Sequence, residues 1–443
     1  MESTVRLINH ASAKLSIDNV NILSDPWFTG SVFHKGWNLI HELPSDKIKE
    51  YIKDVDYIYI SHEHPDHFSP NFFLNEEFKS ILKNNKTKII FQKTQDKRVL
   101  NFLKKKEYDV IEIPHNEYYS LNSKIKIKII KFGYIDSALI IKGSNEKILN
   151  LNDCPLNDLD QIKKFRKNHG SFDLLLTQFS YAAWKGGSDN NNYRKYAADE
   201  KIKTLINQYK ILECKSVIPF ASFIYFSNSL NKYMNDEINK PHIFQKTLPN
   251  TINSIILKPG EMQIIKKLRQ EKDSIEFWKE KYNNIEKNKV EVFDKKIDYN
   301  ILIKEYENYK DKIFKLNSKF LIYLSSKIKF MNFFQPINIY LLDHKKNYNF
   351  SFFNGFEESN NSNYDISMHS ESLLFIFKND FGYDTLTVNG CFDASKTGFI
   401  KSTRSFAIGS LNSMGLKLNF LLIFNFKLIL FFFKLLRKVS QKL

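Results

Sequence analysis

Apolar and polar positions alternate from the start of the chain. Val5-Arg6-Leu7-Ile8 and Val20-Asn21-Ile22-Leu23 are separated by turn residues and followed by Asp25-Pro26-Trp27-Phe28, a pattern that predicts a hairpin running into a loop. The run Val55-Asp56-Tyr57-Ile58-Tyr59-Ile60 predicts a buried strand ending at Ser61. Residues 76–107 mix charged and apolar positions around Ile89-Ile90-Phe91, as helix, strand, helix. Further strands are predicted at 110–113, 125–130 and 138–141, the second alternating isoleucine with lysine and so keeping one wet face. Three more apolar runs, 147–152, 173–180 and 215–223, follow, with a helix over 193–209 between the last two.

Beyond Pro259-Gly260 the period changes from two to between three and four. Ile275, Trp278, Tyr282 and Ile285 form one apolar stripe; Leu302, Tyr306, Tyr309, Ile313, Leu316 and Phe320 form another. They predict two long helices whose aromatic residues are packing seams. Residues 337–416 read as a small α+β unit: strands at 338–343 and 348–352 flank a Lys-Lys-Asn turn, and a strand at 365–368 enters a helix capped by Ser370. Between 418 and 436 nearly every residue is apolar, but Lys427 and Lys434 interrupt the run, which makes a poor membrane span. At helical spacing Asn419, Lys427, Lys434, Arg437, Lys438 and Gln441 share one arc, Asn425 being the exception. Such a face suits a helix lying in a membrane surface; a helix docked on the protein itself or on a second subunit is the alternative.

The 443 residues imply more than one domain, and 42% hydrophobic residues are enough for packed cores. The formal charge of +17 comes from lysines spread along the chain, without a nucleic-acid-binding motif, so no nucleic-acid partner is expected. The three cysteines, Cys154, Cys214 and Cys391, form no CxxC pair, which points to a reducing compartment. The first residues lack the basic-then-apolar pattern of a secretory signal, and a cytoplasmic protein, peripheral on the inner membrane face if the tail docks there, is the expectation.

Candidate chemistry concentrates in Ser61-His62-Glu63-His64-Pro65-Asp66-His67. His62 and His64 can turn to one side of an extended loop, and Asp66 and His67 on the next turn can face a second cation beside the first. These residues resemble the HxHxDH signature of the metallo-β-lactamase superfamily. That resemblance implies a four-layer αββα fold, two divalent metal ions (zinc or iron) and a metal-activated water, with Asp66 in the catalytic centre. It also implies that Asp153, at the end of an apolar strand in Asn152-Asp153-Cys154, is the bridging ligand. Asn9-His10-Ala11-Ser12 and Leu23-Ser24-Asp25-Pro26-Trp27 are similar to the opening strands of the branch that includes N-acylphosphatidylethanolamine phospholipase D and ascorbate-6-phosphate lactonase. In that branch such an aspartate supports the metal loop from behind; Asp25 reads equally as a turn residue before proline. His34 and His41 read as loop or cleft-wall residues.

Residues 5 to about 262 resemble the metallo-β-lactamase portion of the CMP-N-acetylneuraminate hydroxylases, through Asp136-Ser137-Ala138, Asn152-Asp153-Cys154 and the later strands. Two imidazoles of that pattern are missing. Phe132-Gly133-Tyr134-Ile135 stands where a third histidine is expected, and a final one would fall near Asn228. His115 is the nearby substitute, in a different loop; Asp136 or Asn228 could donate oxygen instead, which would suit iron or manganese better than zinc. The paired Cys and His motifs of a Rieske cluster do not occur in the chain.

The sequence thus predicts a metallo-β-lactamase-like domain over 1–262, a helical linker over 263–336, a small α+β domain over 337–416 that faintly resembles sterol-carrier-like domains, and a cationic amphipathic tail over 417–443. The expected function is a metal-dependent hydrolase acting on a phosphoester, lactone or amide of a sugar-nucleotide, glycan or lipid-linked substrate. An iron monooxygenase with a separate electron donor, and a non-catalytic lipid-binding module, are the alternatives. His344 and His369, without ligand partners nearby in the sequence, read as surface residues.

Overall fold

The computed structural model describes residues 2–328 and 333–420; most of the apolar tail lies outside the described residues. Period-two burial builds the first sheet. Strands β1 (Thr4–Asn9), β2 (Ser12–Ile17) and β3 (Val20–Ser24) form an antiparallel meander, so the expected hairpin is two hairpins. The short strand β4 (Trp37–Leu39) follows in a side loop. Strands β5 (Tyr57–Ile60), β6 (Lys88–Gln92) and β7 (Asp109–Ile113) continue the sheet in parallel from β3. Val5, Leu15, Ile22, Tyr59 and Ile90 face inward. Ile8, Leu23, Ile58, Ile60 and Phe91 face outward, onto helices α1 (Ser45–Ile52), α2 (Pro70–Leu74), α3 (Glu76–Asn84) and α4 (Arg98–Lys105).

The second sheet contains β8 (Tyr118–Ser120), β9 (Lys126–Phe132), β10 (Asp136–Lys142), β11 (Lys147–Asn152), β12 (Phe172–Gln178) and β13 (Cys214–Phe220), in the order β13-β12-β11-β10-β9-β8. Its inner face, with Ile127, Ile129 and Leu139, joins the same core as the first sheet. Helices α5 (Leu159–His169) and α6 (Asn191–Ile211) cover its outer side. Helix, sheet, sheet, helix is the four-layer αββα arrangement. Strand β14 (Ile224–Phe226) pairs with β4, and β15 (Met262–Ile264) returns to the edge of the first sheet beside β1.

Helix α7 (Pro241–Thr247) and helix α8 (Lys272–Asn283) pack on this unit; the buried Trp278 of α8 stacks on Phe223 at 4.0 Å and donates to the Leu257 carbonyl. Helix α9 (Tyr299–Leu316) turns its stripe the other way, against the C-terminal sheet, and α10 (Lys319–Lys327) follows it. That sheet comprises β16 (Ile337–Leu341), β17 (Lys346–Ser351), β18 (Gly355–Ser359), β19 (Ile366–Met368) and β20 (Phe392–Ala394), in the order β18-β17-β16-β19-β20. With α11 (Ser370–Lys378), α12 (Gly382–Asn389) and α13 (Lys396–Ser413) it encloses an aromatic core of Tyr306, Phe350, Phe356, Phe377 and Phe406.

Two details correct the sequence reading. Helix α11 is capped by His369, whose Nδ1 accepts from the Glu371 N–H, and not by Ser370. The Ser370 hydroxyl is drawn inward because it and its N–H both donate to Asp343. His344 and His369 are not surface residues: both rings stand beside Asp343, at 3.9 and 3.8 Å, and the two nitrogens of His344 contact the Tyr348 hydroxyl and the Ile297 carbonyl.

Candidate metal centre

The C-terminal ends of β3, β5 and β11 and the start of β10 meet at one edge of the two sheets. Ser61, directly after β5, organises the loop that follows. Its N–H and hydroxyl donate to the two oxygens of Asp25 at 2.7 and 2.8 Å, and its carbonyl accepts from Gln92 Nε2 and the Ser137 hydroxyl. Asp25 is fully buried, with φ 39, and also contacts His67 Nδ1 at 2.9 Å. It therefore fixes both ends of the loop and the orientation of the His67 ring. An outer carboxylate that takes one ring N–H leaves the other nitrogen aimed at an ion. Asn152, at φ 43, donates to the Ser137 carbonyl and accepts from the Asp153 N–H, which turns Asp153 inward off the end of β11.

Around this support lie three overlapping groups, in each of which the ligand atoms lie within 4.8 Å of one another: His62, His64 and Asp136; His62, His67 and Asp153; and His10, Asp66 and His67. His62 Nε2 is 2.9 Å from His64 Nδ1 and 3.9 Å from Asp136. Asp153 stands 3.9 Å from His62 and 3.6 Å from His67, between the other two groups. Asp66 lies 3.3 Å from His10 Nε2 and 3.4 Å from His67 Nε2. All five residues of the sequence-read ligand set, His62, His64, Asp66, His67 and Asp153, are therefore brought together.

The polar atoms test whether this set fits a cation. Asp66 Oδ1, His67 Nε2, Asp153 Oδ1 and His10 Nδ1 are buried without a hydrogen-bond partner. A buried polar atom left unpaired costs on the order of 1–3 kcal/mol, more when charged, so such atoms gathered in one place call for a shared partner. Imidazole nitrogens and carboxylate oxygens are the donors that borderline divalent cations take. The residues present fit a metal.

Electrostatics agree with that reading. Burial holds His62 well below the ordinary imidazole range, and His64 and His10 below it, which favours the neutral ring, the form that offers one nitrogen as an electron-pair donor. His67 is the exception. Burial opposes its charge, but Asp153, Asp66 and Asp25 together overcome this and hold it well above the usual range. Burial likewise opposes ionisation of Asp66, and His67 and His10 reverse that, keeping its carboxylate charged.

His10 is the site residue whose role the sequence reading missed. It sits at φ 29 in the turn between β1 and β2; the Asn9 side chain accepts its N–H and donates to the His41 carbonyl, while Trp27 packs edge-on against its ring. The signal was its place in Asn9-His10-Ala11-Ser12, beside a strand end that returns to the metal edge. Asp136 joins the site and Asn228 does not. The Asn228 amide donates to the Lys35 carbonyl and accepts from the Leu230 N–H, closing its own loop. His115 is also outside all three groups, held at the Lys93 carbonyl. His34 stacks between Phe375 and Phe293, and His41 meets the edge of Phe277. Phe33, whose ring touches that of His64 edge-on, accepts from Asn389 at the end of α12, so the C-terminal unit buttresses the rim of the site.

No family model matches the chain. It is similar to cytidine monophosphate-N-acetylneuraminic acid hydroxylase of Danio rerio, 26% identical over 275 residues, covering 58% of this chain and 43% of the relative. It is also similar to the inactive human counterpart, 25% identical over 281 residues, covering 59% and 52%. The chain thus spans about half the length of the curated relatives it matches. Among solved structures, a possible metal-dependent hydrolase of Veillonella parvula is 15% identical, covers 60% of this chain and 99% of its own, and aligns with a TM-score of 0.44. The chain has a four-layer αββα arrangement and is similar, over its N-terminal portion, to the CMP-N-acetylneuraminate hydroxylases.

Proposed function

We propose that the chain is a metal-dependent hydroxylase of a small sugar-nucleotide-like molecule, holding two cations and receiving electrons from a separate protein. The observation that carries this reading is the donor chemistry. His62 and His64 share their group with Asp136, and His10 and His67 share theirs with Asp66. Each set is two imidazoles and one carboxylate, the combination that suits non-haem iron. The Asp136 carboxylate thus joins His62 and His64 where a third imidazole was expected, which reverses the order of the two readings taken from sequence. The similarity to hydroxylases supports the same direction.

When bound, iron would supply the redox chemistry that divides dioxygen between the substrate and water, two electrons and two protons coming from outside. The chain's own residues do the positioning. Asp25 fixes the His67 ring, Ser61 fixes the loop to both sheets, and Asp153 faces both donor sets. Phe33 shields one side of His64.

Hydrolysis of a phosphoester, lactone or amide is the second reading. Asp153, standing between the two sets, favours it, because a carboxylate shared by two cations is the arrangement that clamps attacking and leaving oxygens.

The test loads the protein anaerobically with Fe(II), adds oxygen and a reduced ferredoxin, and follows a panel of nucleotide sugars by mass spectrometry. The expected result is reductant-dependent oxygen uptake and a product heavier by one oxygen atom. Turnover of the zinc-loaded protein without reductant, with products that together have gained one water, would overturn it in favour of hydrolysis. No turnover in either form would leave a binding module.

A further inference from the structure

We infer that α10 and the chain around Phe420 form a face that docks on an anionic lipid surface, a property separate from the metal centre. Phe320, Tyr323 and Leu324 follow one another at helical spacing and are 60%, 46% and 46% exposed, so α10 turns an apolar face to solvent while only Ile322 is buried beneath it. Phe420, 56% exposed, stacks on Phe320 with ring centres 6.4 Å apart. Two hydrogen bonds tie the chain before it to the start of α10: the Ser318 N–H donates to the Leu418 carbonyl at 2.8 Å, and the Leu418 N–H donates to the Asn317 side-chain Oδ1 at 2.8 Å. Residues far apart in sequence are thereby gathered into one exposed aromatic and aliphatic patch. Single exposed apolar residues are ordinary; a contiguous patch marks an interaction surface.

Charge selects the occupant. Between Asp311 and Asp343 the sequence has no aspartate or glutamate, and after Asp393 it has none to its end. The fold brings these two acid-free stretches together. Lys319 and Lys327 of α10 are exposed, as are Lys315 and Lys417 in the adjoining chain on either side. The Lys319 ammonium lies over the Phe314 ring and the Lys327 ammonium over the Tyr323 ring, 5.2 and 5.1 Å from the ring centres. Apolar side chains with snorkelling lysines at their border match the boundary between acyl chains and anionic head groups. The sequence beyond Phe420 continues the same composition, apolar with only basic charges. Among the described residues no helix is long and apolar enough to cross a membrane, so the contact proposed is with the surface.

Flotation of the full chain with vesicles of phosphatidylcholine alone, or of phosphatidylcholine mixed with phosphatidylglycerol, tests this. The wild-type chain is expected to float with the mixed vesicles, weakly with phosphatidylcholine alone, and to be released by salt. The triple variant Phe320→Ser, Tyr323→Ser, Leu324→Ser is expected to bind roughly tenfold less. Its substituted side chains are solvent-facing, and unchanged circular dichroism and metal content will show that it folds; if it does not, Lys319→Glu with Lys327→Glu carries the same test. Equal flotation of wild type and variants would overturn the proposal, leaving the sequence after Phe420 to act alone. So would a wild-type chain that binds no vesicle, or one that forms a dimer broken by the same substitutions.

Discussion

Among the described residues, two clusters of imidazoles and carboxylates differ in what they leave without a hydrogen bond. Around Asp343 the donors are matched to acceptors: its oxygens take the Ser370 N–H and hydroxyl, both His344 nitrogens have partners, and His369 accepts from Glu371. At the metal edge, Asp66, His67, Asp153 and His10 each keep a buried atom without a hydrogen-bond partner. Composition alone would not separate the two. Satisfaction does: the first cluster is a helix cap that is complete with protein groups, and the second is complete only with something added.

The largest effect expected from breaking this contrast is at Asp153. Asp153→Ala removes the carboxylate that stands beside His62 of one donor set and His67 of the other, and should abolish metal retention through gel filtration, measured as metal per chain. Asp343→Ala should leave metal content unchanged and instead lower stability by about 1–3 kcal/mol, read from urea unfolding, because the Ser370 donors lose their acceptor. Metal loss in the second variant would erase the distinction.

Asp25→Asn sharpens the comparison from outside the ligand set. Outer partners of metal-bound imidazoles typically contribute about 10- to 100-fold in affinity, and a competition titration with a chromophoric chelator should show a loss of that size without loss of fold. Proton release is a related expectation. His67 keeps its proton well above the usual imidazole range in the metal-free protein because Asp153, Asp66 and Asp25 outweigh its burial, so binding must expel that proton. Metal affinity should therefore rise with pH, and calorimetry in buffers of different ionisation enthalpy should report net proton release.

A smaller effect is expected in the C-terminal unit, away from both clusters. Burial raises the Asp384 carboxyl to about 6, against an opposing hydrogen bond from Ser410. A raised folded-state pKa favours the neutral form, so this contribution is fully present below the ordinary carboxylate range and is lost as pH rises through about 6. Thermal melts of the metal-free protein should fall by an amount equivalent to on the order of 1–2 kcal/mol between pH 4.5 and 7.5, and Asp384→Asn should flatten that part of the profile.

How much of this was legible in the sequence follows from where each donor comes from. His62, His64, Asp66 and His67 occupy one loop after one strand, so spacing was enough to mark them, whereas Asp153, just after the end of β11, was marked by the family resemblance. Asp136 could be named only as an oxygen donor for a missing imidazole. His10 lay in a stretch the sequence marked, but its role was missed because it depends on the β1–β2 turn reaching the Asp66 edge, a tertiary fact carried by Asn9 and Trp27. Asn228 was misread for the converse reason: local bonds to Lys35 and Leu230 consume its amide. The helical stripes after residue 260 were plain from periodicity, but not that α8 would pack on Phe223 while α9 packs on Phe350.

The central claim is that two donor sets of two imidazoles and one carboxylate lie on either side of Asp153, and the direct measurement is metal stoichiometry by elemental mass spectrometry after reconstitution. The account predicts about two ions per wild-type chain, and about one in each of His10→Ala and Asp136→Ala, because each substitution removes a donor from only one set. Full occupancy in both variants, or a single ion in the wild-type chain, would contradict it.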